Sequence, residues 1–200
     1  MTTTHHPLRC QCGALQGRVT LKGLSNQLIC YCRDCQAFAR YLGHAEEILD
    51  GQGGSTIVQV APERVEITQG QDQLAAMRLS PNGLLRWYAA CCRTPLGNTL
   101  PNRQRPFVGL VHNCLDSAPL TPSFGPVRGQ FFTKGATGGP RPAEHGLLPA
   151  ALRIVAMMLG SLLSGRYRHT PFFDENNRPV ATPLVITPEE RDRLRQGPTP

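Results

Sequence analysis

Seven of the chain's eight cysteines fall into three tight groups: Cys10-Gln-Cys12-Gly13, Cys30-Tyr-Cys32-Arg-Asp-Cys35 and Cys91-Cys92. Thiols gathered this closely form a metal-binding pattern. Zinc takes sulfur ligands at about 2.3 Å in a tetrahedron, and a turn carrying two or three cysteines presents them with little loss of chain entropy. Gly13 lets the backbone curl around an ion. Cysteine also serves as a small core hydrophobe, which suits the isolated Cys114 but does not account for three clusters. The spacing allows one composite site or two. Cys30, Cys32 and Cys35 lie within six residues and can surround one ion while leaving its fourth position open to water or a substrate thiol, so they are the candidate catalytic residues. Cys10 and Cys12 would then join Cys91 and Cys92 in a second, closed, structural site. Two zinc ions are the expected complement.

The groups around these cysteines are fewer. Arg33 and Arg40 flank the open cluster and are candidates to receive a carboxylate of the ligand. Asp34 reads as the N-cap of a helix that runs through Phe38 and Leu42 to Gly43, its positive end turned toward the thiolates. His5 and His6 precede Cys10 but sit near a terminus, where disorder is the ordinary outcome. His112 and Cys114 would share one face of a strand. No Ser-His-Asp ordering, phosphate loop or nucleotide fingerprint occurs.

The elements that must position these residues are mostly strands. Leu15, Gly17, Val19 and Leu21 alternate with polar residues. Short apolar runs follow at 57–60, 65–67, 74–79, 84–88 and 107–111, with Pro81-Asn82-Gly83 as a hairpin turn. Proline and glycine dominate 119–146, which reads as a long irregular loop. Leu147 to Leu163 is strongly apolar, yet shorter than the ~20 residues that span a bilayer and interrupted by Arg153, so a buried or interfacial helix is expected. Arg166, Arg168 and His169 after it leave docking on a membrane surface open. Thr187-Pro188-Glu189-Glu190 signals a last, exposed helix, with Glu189 facing Arg193. The expected organisation is a zinc-binding β domain over 1–118, the loop 119–146, and a helical extension over 147–200 packed on the domain.

Composition bounds the function. A chain of 200 residues, 40% hydrophobic, can bury one ordinary core without covalent staples. Its polar start, Met1-Thr-Thr-Thr-His-His-Pro7, lacks the apolar run of a secretory signal, so a reducing cytoplasm is expected, where cysteines act as metal ligands or redox groups. The formal charge of +7 is spread over Arg33, Arg40, Arg86, Arg103, Arg128, Arg153 and Arg195. Scattered charge gives weak support for a nucleic-acid partner and suits a small acidic ligand equally well. Seven thiolates on two zinc ions would bring it to about +4.

The motifs resemble those of the glutathione-dependent formaldehyde-activating enzymes and the related centromere protein V family. That family shows Cys-x-Cys-Gly, then Cys-x-Cys-x-x-Cys, then Cys-x-x-Cys-Gly-Thr. Cys10 to Gly13 matches the first and Cys30 to Cys35 the second. The third survives in part as Tyr88-Ala-Ala-Cys-Cys-Arg-Thr94, with Ala89 at the first cysteine and Arg93 at the glycine. The resemblance covers roughly residues 8 to 114. It implies a mainly β, α+β chain in a β-tent fold of coiled antiparallel sheets. It also implies a structural zinc on the first and third motifs, a labile catalytic zinc on the second, and carbon–sulfur lyase-type chemistry on an aldehyde adduct of glutathione or another small thiol. Either Cys91 replaces the ligand missing at Ala89, which needs a turn to bring adjacent sulfurs together, or a water, a histidine or Cys114 completes that shell. The competing reading is a non-catalytic, zinc-stabilised binding module for an acidic partner. Redox chemistry at Cys91 and Cys92 is a third.

Overall fold

A computed structural model of the chain describes residues 4–115 and 119–197. Residues 1–3, 116–118 and 198–200, and with them the first three residues of the polar start, the expected domain boundary at 118 and the end of the extension, lie outside the described residues. Strands β1 (His5–Arg9), β2 (Gln16–Thr20) and β3 (Asn26–Cys30) precede helices α1 (Arg33–Leu42) and α2 (Ala45–Ile48). Strands β4 (Ser55–Val60), β5 (Val65–Gln69), β6 (Leu74–Arg78), β7 (Leu85–Ala89), β8 (Pro95–Thr99) and β9 (Val108–Val111) form the middle. Then come α3 (Leu120–Phe124), β10 (Val127–Phe131), α4 (Leu147–Leu163), β11 (Leu184–Val185) and α5 (Pro188–Gln196).

The architecture is mainly β, of the α+β class. A small antiparallel sheet runs β1-β2-β5, and a large one runs β10-β3-β4-β9-β8-β7-β6-β11. The six inner strands of the large sheet pair antiparallel. Its two edges, β10 on β3 and β11 on β6, are parallel, a departure from the expected all-antiparallel sheets. Both edge strands return from distant parts of the chain, as parallel pairing requires.

Alternation along β7 shows how the sheet divides its two faces. Leu85, Trp87 and Ala89 enter the main core, where the Trp87 ring lies 5.1 Å from Phe172 and donates Nε1–H to Thr99 Oγ1 at 2.9 Å. Arg86 turns to the other face, under α1, with its guanidinium 5.4 Å from the Phe38 ring centre. The turn at 81–83 joins β6 to β7 as expected, with Gly83 N–H donating to Ser80 O.

Several expectations are corrected. The N-cap of α1 is Cys32, whose Sγ accepts from Cys35 N at 3.3 Å, so the thiol displaces Asp34 from that role. The stretch 119–146 is not one irregular loop: its proline and glycine punctuation conceals α3 and β10, and β10 acquires its pairing from β3. His5 and His6 are ordered in β1, where buried His6 bonds Ser123 through Nδ1 at 2.8 Å. His112 and Cys114 occupy a single 3-10 turn, and Cys114 donates to Val111 O and Leu96 O inside the core. Helix α5 is capped by Thr187, but its Arg193 lies nearest Glu190, and Leu194 packs against the cluster formed by α1 residues Phe38 and Leu42 with Ile186. The last helix is therefore docked, because its one apolar residue points inward.

Gly43 ends α1 at φ +82°, with nothing within 4 Å of an added Cβ. Gly43→Ala is therefore expected to cost only the left-handed backbone strain, about 1 kcal/mol, measurable as a lower urea midpoint at unchanged slope.

Candidate metal centres and the adjoining cavity

The first cluster joins two distant turns. Cys10 and Cys12 lie on the turn after β1, which Gly13 completes at φ +79°. Cys91 and Cys92 lie on the turn between β7 and β8, closed by Arg93 N–H donating to Ala89 O and by Ala89 N–H donating to Thr94 O. Arg93 takes φ +59° there, the backbone position that favours glycine, and is held over the Tyr41 ring. This geometry turns the adjacent sulfurs of Cys91 and Cys92 together at 3.9 Å. Cys10 stands 3.6 Å from Cys12 and 3.7 Å from Cys91, and Cys12 stands 3.4 Å from Cys91. A tetrahedron of ~2.3 Å zinc–sulfur bonds needs sulfurs about 3.8 Å apart. The donor set therefore fits one ion. Ala89, by contrast, is fully buried in the main core.

Electrostatics around this cluster favour a cation. Burial raises the Cys10 thiol, and burial together with the crowding thiols of Cys12, Cys10 and Cys92 raises Cys91. Burial also pushes Cys92 upward, but the Thr94 hydroxyl and the backbone amides of Cys12 and Thr94 outweigh it and hold Cys92 at about 6. Thr94 Oγ1 lies 3.1 Å from Cys92 Sγ and accepts from Gln11 N, so one hydroxyl ties the two turns together. His44, at the start of α2, bonds Cys92 O through Nε2 at 3.0 Å.

The second cluster is local. Cys30 ends β3, Cys32 caps α1 and Cys35 lies in its first turn; their sulfurs are mutually within 4.8 Å, with Cys35 3.7 Å from Cys30. Hydrogen bonding with the Cys30 and Cys32 sulfurs holds Cys35 well below the ordinary thiol value against the opposing effect of burial, and Arg86 adds to the depression. The Cys32 and Cys35 thiols, then burial, push Cys30 upward. A helix N-terminus and a nearby cation favour thiolate at this cluster, whose three sulfurs could together hold a metal ion.

That cluster opens into a cavity of about 630 Å³. Its walls include Leu28, Ile57, Phe107 and Phe131, with Gln59 and Asn98 as polar breaks. Phe132 stands at the cavity, 57% exposed and at φ +56°. A bulky residue in that conformation is uncommon and marks a place where the backbone is constrained. Arg33 lines the cavity, whereas Arg40 does not: it donates to Leu194 O and Gln36 Oε1. Two arginines that the sequence had presented only as scattered charge stand there. Arg86, 3% exposed, donates to Asn98 Oδ1 at 3.0 Å and lies 3.9 Å from Asp34. Arg195, from α5, pairs with Asp34 Oδ1 at 2.6 Å. No signal short of the tertiary fold brings residue 195 to residue 34.

Fold and site together define a mainly β, α+β protein with two cysteine clusters, each able to hold a metal ion. The chain belongs to DUF6151, described as a family of unknown function, whose model matches residues 2–183. A crystal structure of a Rhodobacter sphaeroides protein is similar at 17% identity and a TM-score of 0.41, covering 60% of this chain and 96% of that one. No curated protein sequence matches.

Proposed function

We propose that the protein holds two zinc ions. A closed structural one lies at Cys10, Cys12, Cys91 and Cys92, and an open one at Cys30, Cys32 and Cys35 serves as the centre of a carbon–sulfur lyase-type enzyme acting on a small thiol and its aldehyde adduct. The observation that carries this reading is the contrast between the clusters: four sulfurs spaced to close a tetrahedron at one, three sulfurs facing a cavity with buried Arg86 at the other. Cysteines serving as metal ligands suit a reducing compartment such as the cytoplasm.

Bound zinc would supply a Lewis acid that favours thiolate over thiol and polarises an aldehyde oxygen. The chain's own residues do the rest. Arg86 and Arg195 offer guanidinium groups to a carboxylate of the thiol substrate, which would take the place Asp34 holds on Arg195, and Arg33 lies at the same wall. The apolar wall removes water from the reacting carbon and sulfur. Glutathione, with its two carboxylates and one thiol, is the substrate suggested by the motif resemblance.

The test is the rate of S-hydroxymethyl adduct formation from glutathione and formaldehyde, followed by carbon-13 NMR. Acceleration by the zinc-loaded protein is expected, and its absence would sink the enzymatic reading. Arg86→Met is expected to cut kcat/KM about tenfold, chiefly through KM, as a charged hydrogen bond to substrate is lost.

A further inference from the structure

Helix α4 presents an unusual outer face. Its packed side buries Ala150, Met157 and Ser161, and its one charged residue, Arg153, turns inward to bond Asn26 Oδ1 and Ser25 O. On the opposite side stand Leu148, Leu152, Val155, Leu159 and Leu163, between 52% and 88% exposed. They recur at three- and four-residue steps and so form one continuous stripe. At about 1.5 Å per residue the helix is roughly 25 Å long, short of the ~30 Å hydrocarbon core. Among the described residues no helix is long and apolar enough to cross a membrane.

A basic cavity of about 480 Å³ adjoins this helix. Ala156, Met157 and Gly160 of α4 line it together with Lys22, Arg64, Arg166 and His169; Glu63 is also there, accepting from Ser161 Oγ at 2.9 Å. Arg64 is only 8% exposed. It donates Nε to Thr20 O and Nη1 to Leu24 O, while its Nη2 makes no hydrogen bond among the described residues. Burial lowers Arg64 to about 10, so it stays charged at neutral pH. The neighbouring Glu63 carboxylate offsets part of the cost of burying that cation. At the other end of α4, the Arg128 backbone packs against Gly146, the helix N-cap.

We propose that α4 and the basic cavity beside it dock the protein on an anionic phospholipid bilayer, the outward leucines entering the interface and a headgroup phosphate meeting the exposed cations Lys22 and Arg166 at the cavity. Charge selects this occupant over a second copy of the chain. Two such helices packed face to face would bring Arg128, Arg166 and Arg168 of both copies together with no acidic residue on either helix to oppose them. An anionic lipid surface complements both ends at once, and each cation near it adds about a factor of five in affinity. Nothing in this docking depends on metal at either cluster.

Vesicle sedimentation with the intact protein tests it. Binding is expected to phosphatidylcholine vesicles that contain phosphatidylserine, weakening as salt rises, and not to phosphatidylcholine alone. Leu152→Gln with Leu159→Gln, both exposed, should weaken binding about tenfold or more, as should Lys22→Glu with Arg166→Glu, with far-UV circular dichroism unchanged in each pair. Three results would overturn the proposal: no binding to either vesicle, binding indifferent to both variant pairs, or a leucine-dependent dimer in sedimentation velocity without vesicle binding, which would give the face to a second copy.

Discussion

Cys12→Ser is expected to lower the thermal midpoint by roughly 10 °C or more, and Cys32→Ser by less than about 4 °C, although each removes one cysteine from a cluster. The asymmetry follows from what each cluster holds together. Cys12 sits opposite Cys91 across two turns that β-pairing alone does not join, and a metal there contributes its binding energy directly to folding. Cys32 serves a site whose three members already lie on one β3–α1 corner. Its second role is to cap α1 through Sγ, and serine is among the best N-cap residues, so the substitution keeps the cap while weakening the metal site. Thermal melts with metal analysis check both claims: each variant should lose an ion, and equal destabilisation would refute the division of roles.

Phe172→Ala is expected to cost about 3–5 kcal/mol, read as a lower urea midpoint without change in slope. Phe172 is 1% exposed and packs on Trp87 in the main core, with Phe173 meeting the same ring edge-on at 6.3 Å. The segment after α4 is thus a working part of the core, and β11 adds it to the edge of the large sheet. A loss below about 1 kcal/mol would mean that the segment is an appendage.

Much of this organisation could be read in advance, for definite physical reasons. Strands β4 to β7 and β9 carry β-branched or alternating apolar residues between turn signals, and α4 is a long apolar run broken by a single charge, Arg153, so local pattern suffices. The cysteine groupings are legible because thiols spaced so tightly in a chain of this size suit a metal ion far better than they suit core packing. Strand β3 is different: Asn26 and Gln27 are buried polar residues, satisfied by Gln59 and by the backbone of α4 in the case of Asn26, and only tertiary contact makes such a segment a strand. Strand β10 likewise depends on β3 for pairing. The cavity's arginines escaped for the same reason. Arg86 is one of many basic residues until β7 faces it inward, and Arg40, close to the cysteines in sequence, is turned by the helix toward α5.

The two clusters also differ in how far apart their members lie along the chain. Cys10 and Cys91 are separated by 81 positions in a chain of 200 residues, so bringing them together closes a loop of about two-fifths of the molecule, whereas Cys30 to Cys35 closes within a single corner. Loop closure grows costlier with separation, and contacts of high sequence separation form late. The nascent chain can therefore gather the local trio early, while the distant quartet waits until β7 and β8 have formed. Metal at the quartet would therefore fasten the long loop only after most of the β structure is in place, and its removal would free the turn after β1 while leaving the local corner at β3 and α1 intact.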